Sequence, residues 1–205
     1  MNKVYAKLAA LIIASIVGNC FTTTMAQTCP ANFTSEDQLG PFFIEGAPET
    51  TTLAPESQLI SPSDVLVVNG TIYGDDCERM SNVWVDVWYA GKGDGGEGEY
   101  SLPGSDLKYR GRILTDEFGQ YEYTATFPES YPERPIPHIH YRVVSKDDEE
   151  LLVTQLYFEG YILDGYNPDA SQIGMLSTDE DGTRRTTFDI HVNLASTLYP
   201  YRCVR

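Results

Sequence analysis

Positive charge is scarce in this chain. Its 205 residues include 14 Lys and Arg against 30 Asp and Glu, so the formal net charge is −16 at pH 7. Nucleic-acid affinity comes mainly from clustered Lys and Arg that neutralise phosphates. This balance therefore argues against a nucleic-acid partner. Hydrophobic residues supply 41% of the chain, an ordinary share for one globular domain, which argues against disorder.

A long hydrophobic run is also missing. A run of ten apolar or small residues at 8–17 is about half of the roughly 20 needed to span a bilayer. It follows Lys3 and Lys7 and precedes a cleavage-site-like segment that ends at the small residue Ala26, which is typical of a secretory signal peptide. We predict that residues 1–26 are removed, that residues 27–205 form one secreted, extracellular domain, and that no membrane contact remains afterwards.

Cysteine is limited to four residues. Cleavage after Ala26 leaves Cys29, Cys77 and Cys203, an odd number that allows at most one internal bridge. An exported chain meets an oxidising compartment where a bridge can form. Because Cys29 and Cys203 lie near opposite termini, where a bridge would limit fraying, we expect these two to pair.

The rest of the chain shows no sustained 3.6-residue apolar period. Short runs of Val, Ile, Tyr and Trp recur instead between Gly, Pro and Asp residues, which predicts an all-β fold. We expect a β-sandwich of about seven to eight mostly antiparallel strands with long active-site loops. The stretch 91–98 holds five glycines and is expected to be a mobile surface loop. The predicted strands are 65–73, 82–89, 109–115, 120–127, 138–144, 151–156 and 185–192.

Histidine, with three residues in the chain, is the scarcest candidate ligand. His138 and His140 flank Ile139 in a predicted strand, where alternation puts both imidazoles on one face with Cα atoms about 6.5 Å apart. Both can then reach one metal ion, although the same pattern also fits a structural or surface role. The third, His191, has no partner nearby in sequence, and we interpret it as structural.

Two tyrosines lie in segments whose local sequence can fix the direction of the side chain. Tyr131 lies between Pro128 and Pro132, in a stretch too stiff to be a regular strand. Tyr100 directly follows the glycine-rich stretch. Either residue alone would be interpreted as packing. Phenolates are hard anionic ligands, however, and two of them with two imidazoles suit Fe(III).

Taken together, these motifs resemble the intradiol ring-cleavage dioxygenases. The resemblance covers roughly 39–192, and although each piece is common, the set in this order is specific. It independently implies a β-sandwich. The matching pieces are 40–43 (GPFF), 47–48 (AP), 83–88 (VWVDVW), 109–112 (YRGR), 115–116 (TD), 119–121 (GQY), Tyr131, 138–140 (HIH) and 154–158 (TQLYF).

The resemblance implies a cofactor and a reaction. One mononuclear non-haem Fe(III) is expected on Tyr100, Tyr131, His138 and His140, with Tyr131 and His138 axial and a water or hydroxide completing the shell. A catecholic substrate would chelate the iron and displace Tyr131 and the solvent ligand. O2 would then open the ring between the two hydroxyls to give a cis,cis-muconate.

Two more residues acquire candidate roles from the resemblance. Gln155 follows His140 by 15 residues, as the family pattern leads us to expect, and its amide would orient substrate or oxygen unless it only caps a strand in the core. Arg134 resembles the arginine that faces the substrate ring, where a cation would favour developing negative charge. It precedes His138 by four residues where the usual spacing is three, so its direction stays open.

Other motif members have simpler interpretations. The segment 40–43 crosses near the active-site mouth or only seals the end of the sandwich. Trp84 and Trp88 share one face of a strand and are expected to be packing residues. Asp116 is interpreted as part of a hairpin turn.

Alternative functions remain at this point. A non-catalytic, extracellular, prealbumin-like β-sandwich module shares several of the strand and turn patterns, and an iron-binding protein would share the ligands.

The intracellular members of the family often carry a long helical N-terminal segment that forms a dimer. Only about a dozen residues of the mature chain precede Gly40, too few for such a segment, so we expect a monomer or weak oligomer. Loss of Lys3 and Lys7 leaves 12 basic against 30 acidic groups, or −18, which weakly favours neutral catechols.

Overall fold

The computed structural model describes residues 32–75, 77–93, 98–101 and 107–197. The predicted signal peptide and its cleavage site lie outside these residues. Most regular structure in the described part is strand, which confirms the all-β prediction. The strands are β1 (Leu66–Tyr73), β2 (Trp84–Tyr89), β3 (Gly91–Lys92), β4 (Gly98–Glu99), β5 (Arg110–Leu114), β6 (Gln120–Ala125), β7 (His138–Val144), β8 (Glu150–Phe158), β9 (Ile173–Gly174), β10 (Ser177–Thr178), β11 (Arg184–Thr187) and β12 (Ile190–His191).

Helical structure is minor. The described residues contain α1 (Leu194–Thr197) and three single 3-10 turns, at Glu56–Gln58, Pro62–Asp64 and Ala170–Gln172. None of the helices in these ranges has the length and apolar character needed to cross a bilayer.

Two five-stranded sheets form the sandwich. The first has the order β5-β2-β7-β8-β9, and its neighbours are antiparallel except for β8 and β9. In the second, β6 pairs along one edge of β1, β11 and then β12 pair along the other, and β10 extends β11. Val68 and Ile72 of β1 pack with Val85 of β2 and Ile139 of β7 in one buried cluster. The main core therefore lies between the two sheets, and every second residue of β7 points to the opposite face.

The last predicted strand, 185–192, is interrupted, so the prediction of one continuous strand is wrong there. The break between β11 and β12 falls at Phe188 and Asp189, where Asp189 Oδ1 accepts a 2.8 Å hydrogen bond from the Thr71 backbone N–H. A Cβ on Gly70 would lie 2.0 Å from the Phe188 carbonyl oxygen. Because Gly70 has no side chain, the interrupted chain can press against β1.

The glycine-rich stretch is more ordered at its ends than expected. Gly91 and Lys92 pair with Glu99 and Gly98 as the β3–β4 ladder, and Gly91 is buried. A Cβ on Gly91 would lie 2.2 Å from the Tyr109 ring. At this end the glycine therefore permits close packing of the chain, and the prediction of a mobile surface loop is wrong for the paired residues.

Cys77 is disulfide-bonded. The remaining cysteines, Cys20, Cys29 and Cys203, all lie outside the described residues. The expected pairing of Cys29 with Cys203 stays a prediction. If these two are paired, Cys20 is the one cysteine left to bond Cys77, so this pairing is compatible with the bond at Cys77 only in a chain that keeps Cys20.

Candidate active site

The four predicted ligands lie on the outer face of the first sheet. His138 and His140 alternate on β7 with Ile139, which belongs to the core between the sheets. Both imidazoles therefore face away from the second sheet. Tyr100 directly follows β4, and Tyr131 opens a tight turn in which the Arg134 N–H donates to the Tyr131 carbonyl at 2.9 Å. Pro132 occupies the second position of this turn, which its fixed φ suits.

The structure brings these four side chains into one cluster of rings. Tyr100 Oη lies 3.4 Å from His138 Nε2, and the two imidazole centroids are 4.9 Å apart. The ring centroids of Tyr100 and Tyr131 are 5.5 Å apart, and those of Tyr131 and His138 are 5.8 Å apart. Two phenol oxygens and two imidazoles thus converge from three separate segments.

The protonation of His138 follows from its backbone contact. Its Nδ1 lies 2.9 Å from the Ile136 carbonyl oxygen, and because a carbonyl only accepts, Nδ1 must carry the proton. The lone pair is then on Nε2, the nitrogen beside Tyr100. Hydrogen bonding of the second ring nitrogen to a carbonyl is the usual way in which a metal-binding imidazole is oriented.

His140 is held by packing. Its ring stacks on Trp88 with centroids 5.0 Å apart and planes 8° from parallel. Gly40 also lies close to this ring, since a Cβ on Gly40 would be 3.2 Å from His140 Cε1. The segment 40–43 therefore lies against the site, and Trp88 is a packing residue as expected.

The two phenols differ in their surroundings. Tyr100 is 6% exposed and stacks on Phe42 at 4.4 Å, whereas Tyr131 is only half-buried. Burial raises the pKa of both hydroxyls above the ordinary value, more strongly for Tyr100. Arg110 is buried nearby, donates to the Phe42 and Ser101 carbonyls, and acts in the opposite direction on the pKa of Tyr100. Formation of phenolates here needs additional positive charge.

These observations test whether the residues fit a ferric ion. Two phenols whose pKa is raised by burial, one imidazole with a lone pair fixed on Nε2 and a second, buried imidazole beside it form a suitable donor set for Fe(III). Among the described residues, no group of three or more His, Cys, Asp or Glu could hold a metal. A metal bound at this cluster would thus require the tyrosines.

Arg134 and Gln155 are joined to each other. Arg134 Nη2 donates to Gln155 Oε1 at 2.6 Å and to the Tyr157 hydroxyl at 2.8 Å. The ring of Tyr157 is 6.1 Å from that of His138. Arg134 is therefore directed toward the cluster, even though it precedes His138 by four residues and not by the usual three. The roles of Arg134 and Gln155 remain predictions.

Sequence reasoning assigned no role to three residues of the site. Tyr157 lies on the same face of β8 as Gln155, so the period-two alternation could have identified it. Asp37 accepts hydrogen bonds from both Gln155 and Tyr157, but nothing in the sequence around it marks this contact. Arg110 belongs to a recognised motif, although its buried position beside Tyr100 depends on the fold.

The remaining candidates lie elsewhere. His191 on β12 stacks on Tyr73 with centroids 4.6 Å apart, in agreement with a structural role. Asp116 Oδ1 accepts from the Phe118 and Gln120 N–H groups, so a turn is present as predicted. The prediction of a hairpin is wrong, because β5 pairs with β2 and β6 pairs with β1, and the turn therefore joins the two sheets.

Burial of the two histidines also makes the stability of the metal-free protein depend on pH. It lowers the pKa of His138 to about 4 and that of His140 well below the ordinary value. Unfolded histidine titrates near pH 6.5, so the unfolded chain binds more protons below that pH and stability falls as the pH drops toward 4. Between about pH 7.5 and about pH 5.5, we expect the free energy of unfolding of the metal-free protein to fall by about 1 kcal/mol per buried histidine.

Chemical denaturation at the two pH values measures this effect. His138→Gln should remove the share that belongs to His138 and flatten the pH dependence. The same slope in the variant and the wild type would contradict the assignment.

Comparison with known proteins now connects this site to a family. A sequence model described as Dioxygenase matches residues 39–190. The chain belongs to the intradiol ring-cleavage dioxygenase family. This confirms the family predicted from the motifs. Chlorocatechol 1,2-dioxygenase of Pseudomonas putida is 31% identical over 176 residues, which are 73% of this chain and 64% of that protein. For catechol 1,2-dioxygenase of Acinetobacter baylyi, the identity is 30% over 141 residues, 59% and 45% of the two chains.

Solved structures of other family members have the same fold. The dioxygenase domain of a dioxygenase and carbohydrate-binding fusion protein from Streptomyces sp. SirexAA-E superimposes with a TM-score of 0.68 at 27% identity, over 79% of this chain and 99% of that one. Catechol 1,2-dioxygenase of Acinetobacter radioresistens gives 0.66 at 25% identity, over 80% and 63%. The chain thus spans less than two thirds of the two curated relatives but nearly all of the Streptomyces domain.

Proposed function

We propose that the protein is a non-haem Fe(III) dioxygenase that cleaves catechols between their two hydroxyls with O2, giving cis,cis-muconate-type products. The observation that carries the proposal is the ring cluster, in which two phenol oxygens and two imidazoles converge. Membership of the intradiol family and the similarity to proteins named catechol and chlorocatechol 1,2-dioxygenases support it. Tyr100, Tyr131, His138 and His140 would hold the iron. When bound, Fe(III) withdraws electrons from a chelated catechol and makes its ring reactive toward O2.

The two tyrosines are suited to different tasks. Tyr100 is locked between Phe42 and the neighbouring rings, so it serves as a permanent ligand. Tyr131 is the less buried of the two and sits in a turn at the edge of the cluster. Its phenolate can move away when a catechol arrives and accept one of the two hydroxyl protons.

Arg134 supplies positive charge beside the cluster. Its Nη2 is used by Gln155 and Tyr157, while its buried Nε has no hydrogen-bond partner among the described residues. The guanidinium therefore keeps a donor for a bound substrate, and its charge favours negative charge that develops on the ring.

Metal analysis and oxygen uptake test the proposal. Protein from iron-replete expression should contain one iron per chain, show the red to burgundy colour of ferric phenolate and consume O2 with catechol. A panel with protocatechuate, hydroxyquinol and a galloyl compound defines the substrate range. A colourless, iron-free protein would favour a non-catalytic binding module. Bound iron without oxygen uptake on any catechol would favour an iron-binding protein.

Export is a separate proposal. The charged, apolar and small-residue segments of 1–26 support cleavage after Ala26 and secretion. N-terminal sequencing of the protein from culture medium should give a chain that begins at Gln27. Retention of all protein in the cells with Met1 intact would refute export.

A further inference from the structure

Four side chains beside the ring cluster form a closed circuit of hydrogen bonds. Arg134 Nη2 donates to Gln155 Oε1 and to the Tyr157 hydroxyl, at 2.6 and 2.8 Å. On the far side, Asp37 accepts from Gln155 Nε2 at 3.3 Å and from the Tyr157 hydroxyl at 2.9 Å. The amide of Gln155 and the phenol of Tyr157 therefore each bridge the same cation and the same anion.

This arrangement fixes the direction of the Gln155 amide. The carbonyl oxygen faces the Arg134 cation, and the NH2 group faces the Asp37 carboxylate and the Gln38 carbonyl, 2.8 Å away. A rotated amide would place its NH2 against the guanidinium and its oxygen against the carboxylate, so both contacts would become repulsive. Gln155 itself is fully buried. The charges on either side of it thus determine which end points toward Arg134.

The Asp37 carboxylate is a negatively charged group that accepts several hydrogen bonds. Besides Gln155 and Tyr157, its carboxylate accepts from the Gln38 N–H at 2.7 Å and from Gln172 Nε2 at 3.1 Å. None of the Lys or Arg side chains in the described part forms an ion pair with it. The Tyr157 hydroxyl connects it to Arg134, so the two opposite charges compensate each other across one phenol.

We propose that Asp37 and Tyr157 are positioning residues that orient Gln155 and Arg134, and that the charge of Asp37 offsets the attraction of Arg134 for carboxylated catechols, so that the site does not favour them over uncharged ones. This inference rests on the proposed function. A carboxylated catechol would be attracted by Arg134 and repelled by Asp37, and neutralisation of Asp37 leaves only the attraction. At separations near 10 Å and an effective dielectric constant near 20, one charge changes relative binding by roughly 10-fold.

The test compares catechol with 3,4-dihydroxybenzoate in wild type and Asp37→Asn. The ratio of the two kcat/KM values should shift toward the carboxylated compound by roughly 10-fold. Where its turnover is too slow, its Ki as a competitive inhibitor of catechol turnover should fall by the same factor. Asp37→Glu keeps the charge and should keep the wild-type ratio. Glu36→Gln, a neutralised and exposed neighbour, is the matched control and should also leave the ratio unchanged.

Tyr157→Phe provides a second variant in case Asp37→Asn does not fold. It removes the link between Asp37 and Arg134 while retaining the ring and the charge of Asp37, so kcat for catechol should fall with iron content unchanged, and the ratio of the two kcat/KM values should stay near that of the wild type. An active wild type whose ratio is not moved by Asp37→Asn, or whose kcat is not lowered by Tyr157→Phe, would overturn this inference alone. An iron-loaded wild type inert toward every catechol would instead refute the proposed function, and this inference with it.

Discussion

Replacement of His138 by Ala is expected to yield a protein that purifies without iron and loses ring cleavage by more than ~100-fold, above the range for an outer-shell partner. His138 offers a single available lone pair, on Nε2, because Nδ1 is bound to the Ile136 carbonyl. Its removal leaves a cluster with one imidazole and two phenols. Burial raises the pKa of both phenols, so they are poorly prepared to bind a cation without the second imidazole.

His191→Ala is the matched control for this experiment. His191 has the same side chain, lies on the second sheet and stacks on Tyr73, so its loss should lower stability modestly and leave iron content intact. Metal analysis, the visible absorption of ferric phenolate and oxygen uptake separate the two variants. Stoichiometric iron in His138→Ala, or iron lost equally from both variants, would show that the cluster is not the metal site.

Local patterns predicted the parts of this fold that follow strand alternation. The predicted strand 138–144 coincides with β7, and its alternation correctly put His138 and His140 on one face with Ile139 in the core. The interruption at Phe188 was not predictable in the same way, because it depends on contact with Gly70 from a distant part of the chain. Composition alone also misread Gly91, whose lack of a side chain serves the packing of Tyr109.

In the candidate site, too, some residues could be predicted from local sequence patterns, whereas others depend on contacts between distant parts of the chain. Its ligands could be identified because His-x-His in a strand, a proline-bracketed Tyr and the order of the family motifs are all visible in the sequence. Asp37 could not be identified, since its contacts with Gln155 and Tyr157 join residues more than a hundred positions apart. Charge compensation through a phenol leaves no sequence pattern. Its recognition requires the three-dimensional distances.

Replacement of Tyr131 by Phe is the second large effect that we expect. It keeps the ring, which packs edge-on against Tyr100, and removes the oxygen that would leave the iron and accept a substrate proton. Three ligands remain, so the variant should retain part of its iron with an altered ferric phenolate absorption. Because general-base contributions are typically 10²–10⁴-fold, turnover of catechol should fall by at least ~100-fold.

Tyr100→Phe and Tyr161→Phe complete this comparison. Tyr161 is partly exposed and packs on Phe127, so the same substitution there should change neither iron content nor turnover. Tyr100 is enclosed by Phe42 and the other rings, and its replacement should weaken iron binding more than Tyr131→Phe does, because no solvent can enter to replace the lost oxygen. If Tyr131→Phe turns over catechol at the wild-type rate, the proton-accepting role belongs to another group. If instead Tyr131→Phe loses iron and Tyr100→Phe keeps it, the permanent and the exchangeable phenol must be assigned the other way round.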